Sequence, residues 1–246
     1  MNNMINKYKS SAELKALAKE HLLGKYGTVV GATVVVFMII EFVTFSCTAF
    51  LDQTTLIGVV LNYLITFVIT VLTGLFTSGE NYLYLKVSCD RPVMLNDIFY
   101  GFKLFPNKAV MIQLYLSVWI FVSMLPLTIL SYLLVQDPKN SVLLLAYSLA
   151  GILCGIVALM ISIIYSQVFF LLHDFPDYSV KKLLEMSRQL MKGSKGRFFY
   201  LTISFLPLFL LGFLSCGIAF LWLIPYMNAT YSEFFLDLIK KSEPAA

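Results

Sequence analysis

Residues 179–197 read SVKKLLEMSRQLMKGSKGR, the most charged stretch in a very apolar chain. Six of the 18 lysines and arginines lie in it: Lys181, Lys182, Arg188, Lys192, Lys195 and Arg197. Val180, Leu183, Leu184, Leu190 and Met191 recur at helical spacing. The segment therefore predicts an amphipathic helix, with Ser179 as N-cap and Gly193 just past its end. An apolar run starts at Phe198, directly after it. The side of a membrane on which this segment rests sets the topology of the remaining chain.

Of the 246 residues, 59% are hydrophobic and only 13% charged, with a mean hydropathy of +0.82. A soluble chain of this length needs far more polar surface to cover its core, so the surplus apolar surface faces lipid. Nucleic acid is not an expected partner, because membrane-length apolar runs separate the cations instead of one soluble face gathering them. Cys47, Cys89, Cys154 and Cys216 form no C-x-x-C pair and have no histidine at ligand spacing. His21 and His173 are too dispersed for a metal site, so neither metal nor cofactor is expected. Cys47 and Cys216 both fall near the outer face, either as small packed residues or as a disulfide pair. The first 27 residues read as polar and amphipathic, not as a signal peptide.

Taken in order, Ser10 and Glu13 form an S-x-x-E capping box that opens a first amphipathic helix over residues 10–23. Leu14, Leu17, Ala18 and Leu22 share one face of it, and Gly24 supplies its stop. It is too polar to span and belongs at the interface. Spans of about 20 or more apolar residues follow at 28–50, 56–85, 109–135 and 141–172. Between the second and third, Leu95, Ile98, Phe99 and Phe102 predict a short helical patch. Residues 198–239 are too long for one span and contain the break Ser215-Cys216-Gly217, giving spans at 198–214 and 218–238, or one broken helix. The expected fold is an all-α polytopic membrane bundle of six transmembrane helices in three hairpins, each preceded by an interfacial amphipathic helix. Residues 1–246 form a single integral membrane domain.

The cations test that count. With the N-terminus inside, the tail places Lys7, Lys9, Lys15, Lys19 and Lys25 in the cytoplasm. The loops add Lys86, Arg91, Lys103, Lys108 and the six of residues 179–197, and the C-terminal tail adds Lys240 and Lys241. Only Lys139 falls outside. Five spans would move Lys240 and Lys241 outside, against the positive-inside rule, so both termini are expected in the cytoplasm.

A threefold repeat is also legible, over residues 10–86, 92–173 and 177–240. Each unit runs from an amphipathic helix through a basic turn into a hairpin. The turns are Gly24-Lys25-Tyr26-Gly27, Pro106-Asn107-Lys108 and Gly193-Ser194-Lys195-Gly196. The even spans end alike, with Gly79-Glu80, Ser166-Gln167 and Ser232-Glu233. Three hairpins about a pseudo-threefold axis would enclose a central cavity.

Few residues offer chemistry. Glu41 is the only charge in the first span, and a carboxylate in hydrocarbon costs about 2.5 kcal/mol or more by insertion scales. It forms a candidate intramembrane polar site with Asn62, as a proton relay or ligand contact, or else as a plain interhelical hydrogen bond. Glu80, Gln167 and Glu233 are candidates for a polar ring at the cytoplasmic mouth, or are ordinary polar helix ends. Lys192, Lys195 and Arg197 are candidate contacts to lipid phosphate at the inner leaflet. Pro126, Pro207 and Pro225 read as hinges or static kinks. Neither G-x-S-x-G, H-E-x-x-H nor a phosphate-loop motif occurs, so no catalytic residue is assigned and an enzyme is not expected.

Residues 187–195, SRQLMKGSK, followed by Ile203-Ser204-Phe205, Cys216-Gly217-Ile218, Leu221-Trp222 and Pro225-Tyr226, resemble a bacterial membrane family called domain of unknown function 975. Leu95-Asn96-Asp97-Ile98-Phe99, Gly101-Phe102, and the opening from Leu14-Lys15 to Gly24-Lys25-Tyr26-Gly27 fit it too. His173-Asp174-Phe175-Pro176 departs from the family's usual Asp-Asn-Pro type of turn. The resemblance implies a multi-span plasma-membrane protein of a bacterium and brings no catalytic residues. Two functions remain open: handling of a lipid or amphiphilic solute as a transporter or export accessory, or a non-catalytic scaffold. The expected partners are anionic membrane lipids, with a partner membrane protein as a further candidate.

Overall fold

A computed structural model describes residues 8–242, and the described segments are helices, turns and loops. Lys7, counted above with the N-terminal cations, lies outside the described residues.

Helix α1 (Ser11–Leu22) starts at the expected capping box: Glu13 N–H donates to Ser10 Oγ at 3.3 Å, and Ser10 N–H donates to Glu13 Oε2 at 2.6 Å. Leu14, Ala18 and Leu22 are fully buried. Each buried leucine contributes about 1.5–3 kcal/mol of transfer free energy, so α1 is anchored to the bundle as well as lying beside it. Gly24 takes φ +76°, a left-handed conformation that lets the chain turn at once into α2 (Tyr26–Thr48).

The second span is one apolar stretch in two helical pieces, α3 (Leu56–Leu72) and α4 (Gly74–Ser88). A 3₁₀ turn (Leu95–Phe99) and the one-turn helix α5 (Tyr100–Lys103) follow. Of the predicted apolar patch here only Ile98 is buried; Leu95 and Phe102 are exposed. This segment lies directly on α4. A Cβ on Gly79 would overlap the carbonyl oxygen of Ile98, and one on Gly101 would overlap that of Leu75.

Helix α6 (Pro106–Gln136) is continuous through Pro126. The fourth span is again divided, into α7 (Ser141–Ile164) and α8 (Val168–Asp174). The basic segment forms α9 (Val180–Leu190), N-capped by Ser179 and ended by Gly193 at φ +88°. The fifth span is α10 (Lys195–Ile203) and α11 (Leu206–Leu214), and the chain ends in α12 (Phe220–Ser242). The break before α11 has a local cause. Pro207 has no N–H to give Ile203, so the ladder cannot continue, and Leu208 N–H turns to Phe205 O instead. Residues 198–239 are therefore two helical arms around Ser215-Cys216-Gly217, where Cys216 and Gly217 both take positive φ.

Among the described residues, five stretches are long and apolar enough to cross a membrane: Tyr26–Thr48, Leu56–Ser88, Pro106–Gln136, Ser141–Asp174 and Lys195–Leu214. Helix α12 is less apolar because it carries Glu233, Asp237, Lys240 and Lys241. Successive neighbours close a ring, α12–α2–α3–α6–α7–α10, completed by α11 against α12. The junction of α7 with α10 is the least extensive. Burial is one-sided. Two cores, one around Leu83, Tyr84, Phe205 and Phe234 and one around Phe170, Leu171, Leu183 and Phe235, fill the end that holds α1, α4, α8 and α9. Toward the opposite end the spans expose Phe42, Phe45, Leu64, Ile129, Leu145 and Phe213. That surface excludes water only if lipid covers it, and the chain is a membrane protein.

Candidate functional site

The cored end is stitched by polar contacts between α1, α12 and the loops. Arg197 donates to Asp237 Oδ2 at 2.7 Å and to Lys9 O at 3.0 Å, and its guanidinium lies 3.9 Å from the Tyr8 ring centroid. Arg197 thus serves an internal ion pair and is not an open phosphate contact, a correction to the sequence expectation. Its carboxylate partner lies 40 residues along the chain, beyond the reach of local pattern reading. Lys192 is exposed and Lys195 half-buried, and neither is in an ion pair. His21 Nδ1 lies 2.8 Å from Glu233 Oε1, joining α1 to α12. Lys25 pairs with Asp90 at 2.6 Å and Lys86 with Asp97 at 2.6 Å.

Glu80, Gln167 and Glu233 occupy three different environments. Glu233 is buried against His21. Gln167 is fully buried; its Nε2 donates to Ser166 Oγ at 2.7 Å, and its Oε1 has no partner. Glu80 is half-buried on α4, and no hydrogen bond joins the three. Glu41 is exposed, Asn62 is half-buried, and they are not bonded to each other. The reason is helical phase. Val29, Ala32, Val36 and Ile40 mark the inward face of α2, and Glu41 is turned about 100° from Ile40. All four cysteines are free, Cys47 and Cys216 included.

Two of the three breaks in the spans are where polar chemistry gathers. At the α7–α8 break Val168 N–H bonds Tyr165 O, which leaves Ile164 O without its helical donor. Ser187 of α9 fills the gap, donating to Ile164 O at 3.1 Å. At the α10–α11 break Lys15 of α1 donates to Ser204 O at 2.8 Å, with its ammonium 3.9 Å from the Phe205 ring centroid. Partial burial, with Lys19 nearby, lowers the pKa of Lys15 from the ordinary lysine value. Helices α1 and α9 thus each supply a donor to a carbonyl that a broken span exposes.

Between those breaks, at the junction of α7 and α10, lies a crevice of about 390 Å³. Leu159, Ile163, Phe199 and Ile203 form apolar walls, and Ser162, Ser166, Thr202 and Tyr231 bring hydroxyls. Tyr231 OH donates to Thr202 Oγ1 at 3.4 Å, and Ser166 leads on to the buried Gln167. An apolar mouth with a few convergent hydroxyls suits a molecule with one greasy and one polar part.

The sequence model of the family described as "Protein of unknown function (DUF975)" matches residues 1–242. The chain belongs to that family. No curated protein and no solved structure matches it.

In this DUF975 chain Ser162 and Thr202 escaped sequence reading because each sits inside a long apolar run. The available signal was spacing. Ser162 and Ser166 are one turn apart, so they present two hydroxyls on one face of the fourth span. Phe198 and Thr202 repeat that interval on α10, and Thr202 Oγ1 donates back to Phe198 O at 2.9 Å.

Proposed function

We propose that this DUF975-family membrane protein handles a lipid or amphiphilic solute, admitted sideways through the α7–α10 crevice. The observation that carries the reading is the crevice itself, with apolar walls and hydroxyls, one of which, Ser166 Oγ, accepts from the side chain of the buried Gln167. In this reading α12 is a sixth span, paired with α10 and α11 in a third hairpin. Glu233 and Asp237 cross no hydrocarbon unpaired, because His21 and Arg197 meet them. The cored, cation-rich end then faces the cytoplasm of a bacterium, both termini included.

The test is reconstitution into liposomes carrying a tail-labelled phospholipid, with flux followed by dithionite quenching. Wild-type protein is expected to accelerate quenching of the inner-leaflet label. Ile203→Trp, at an exposed wall position, should plug the crevice and abolish the effect without unfolding the protein. No flux from wild type, together with no amphiphile retained in native mass spectra, would sink this reading. The second reading, a non-catalytic scaffold, is favoured by how little of each span is covered by the rest of the chain. It requires a co-purifying membrane protein whose capture is indifferent to Ile203→Trp.

A further inference from the structure

Helix α9 borders a second opening, on the side of the Tyr165–Gln167 break away from the crevice. A groove of about 750 Å³ runs between α6 and α9, with Lys181, Glu185 and Arg188 on one wall, Met111 and Tyr115 on the other, and Tyr165 beside them. We infer that this groove binds the phosphodiester headgroup of an anionic membrane lipid. The inference rests on the membrane reading of the fold and not on the α7–α10 crevice.

Position comes first. The apolar face of α9 is used up against the bundle: Leu183, Leu184 and Ser187 are buried. Lys181 and Arg188 are seven residues apart, so they lie two turns along one side of the helix, about 10 Å from each other. Across the groove stand the first turns of α6, where a membrane span leaves its basic loop. A cation there meets headgroups and not hydrocarbon.

Chemistry comes second. Neither Lys181 nor Arg188 is in an ion pair, so both are open to a ligand, unlike Arg197. Arg188 offers a planar fork that matches phosphate oxygens, and Lys181 adds a point charge. The hydroxyls of Tyr115 and Tyr165 lie 3.4 Å apart at the groove and supply further donors. Glu185 sits between the cations and opposes an anion; its nearest partner is Gln189 Nε2, at 3.5 Å. The groove keeps a net positive charge with Glu185 included. Met111 and the rings of Tyr115 and Trp119, all exposed on α6, offer a path for acyl chains. A free phosphate ion would have no use for that path, and a lipid does.

Trp119 makes the site measurable, since its ring centroid is 6.4 Å from that of Tyr115. Full-length protein carrying Trp222→Phe, in mild detergent, is titrated with brominated-chain phosphatidylglycerol or phosphatidylcholine while Trp119 fluorescence is read. One cation beside an anionic headgroup is worth about a fivefold change in affinity, so the pair predicts roughly a twentyfold preference for phosphatidylglycerol. Lys181→Gln with Arg188→Gln should erase that preference. Lys192→Gln with Lys195→Gln should keep it, and Glu185→Gln, which leaves both cations in place, should strengthen it. Equal quenching by the two lipids in wild type overturns the inference, as does a preference that survives loss of Lys181 and Arg188. Displacement by inorganic phosphate at matched ionic strength would also overturn it, by showing a soluble anion as the ligand. Lipid flux through the crevice is read separately, so either proposal can fail alone.

Discussion

Arg197 shows how much a residue's meaning depends on what meets it. It belongs to the same basic turn as Lys192 and Lys195, yet it is held between Asp237, Lys9 O and the rings of Tyr8 and Phe234. Truncating it strands the largely buried Asp237 carboxylate, so Arg197→Ala should cost about 3 kcal/mol. Lys192→Gln should change stability by less than about 0.5 kcal/mol. Urea or thermal unfolding in detergent would compare the two, and equal effects would contradict the internal role. A pH experiment addresses a second pair. The hydrogen bond and charge of Lys25 hold the Asp90 carboxyl below the usual carboxylate value. A carboxyl with its folded pKa depressed contributes above its unfolded pKa, and the contribution is lost as pH falls through the folded pKa. The difference in melting temperature between wild type and Asp90→Asn should therefore be present at neutral pH and shrink toward zero below about pH 4. Because Asp90 is exposed the difference is small, and one that grew in acid would reverse the assignment.

At the scale of elements, helices α1 and α9 do more than ride on the bundle. Helix α9 places Ser187 against Ile164 O, and α1 places Lys15 against Ser204 O, so each completes a span that breaks below it. Ser187→Ala leaves a carbonyl without its donor and should cost about 1–3 kcal/mol; Ser187→Thr should recover most of it. If the alanine variant unfolds like wild type, the contact carries no energy. The packing of the 3₁₀ turn on α4 is stricter. Gly79→Ala forces a methyl into Ile98 O, and overpacking of this kind costs about 1–3 kcal/mol or more, readable as loss of folded protein after extraction. The spans, the caps at Ser10 and Ser179 and the stops at Gly24 and Gly193 were legible because each is written in nearby residues. The breaks at Thr73 and at residues 165–167 were not. They depend on partners from distant helices, and neither Ser166 in its apolar run nor Ser187 in its charged one carries a local mark of that contact. Glu41 is a related case: its cost in lipid was plain, but its angle around α2 is fixed by what Val29, Ala32 and Val36 pack against.

At the scale of the whole molecule, the one-sided core and the placement of cations make a single claim about orientation. The end rich in buried contacts holds Lys15, Lys86, Lys108, Arg188 and Arg197, while the far turns hold Asp52, Asp137 and Lys139. With six spans and the basic end in the cytoplasm, the free cysteines divide by side. Cys47 closes α2 and Cys216 lies in the turn before α12, so both reach the outer face; Cys89 follows α4 at the inner face; Cys154 is buried within the fourth span. A membrane-impermeant maleimide added to intact cells should label Cys47 and Cys216 and spare Cys89. Permeabilisation should add Cys89, and Cys154 should react only after denaturation. Single-cysteine variants assign each signal, and Lys139→Cys offers a further outer site away from the helices. Labelling of Cys89 in intact cells would invert the molecule. Labelling of Cys47 without Cys216 would instead remove the third hairpin, since the turn at Cys216 reaches the outer face only if α10 and α11 cross.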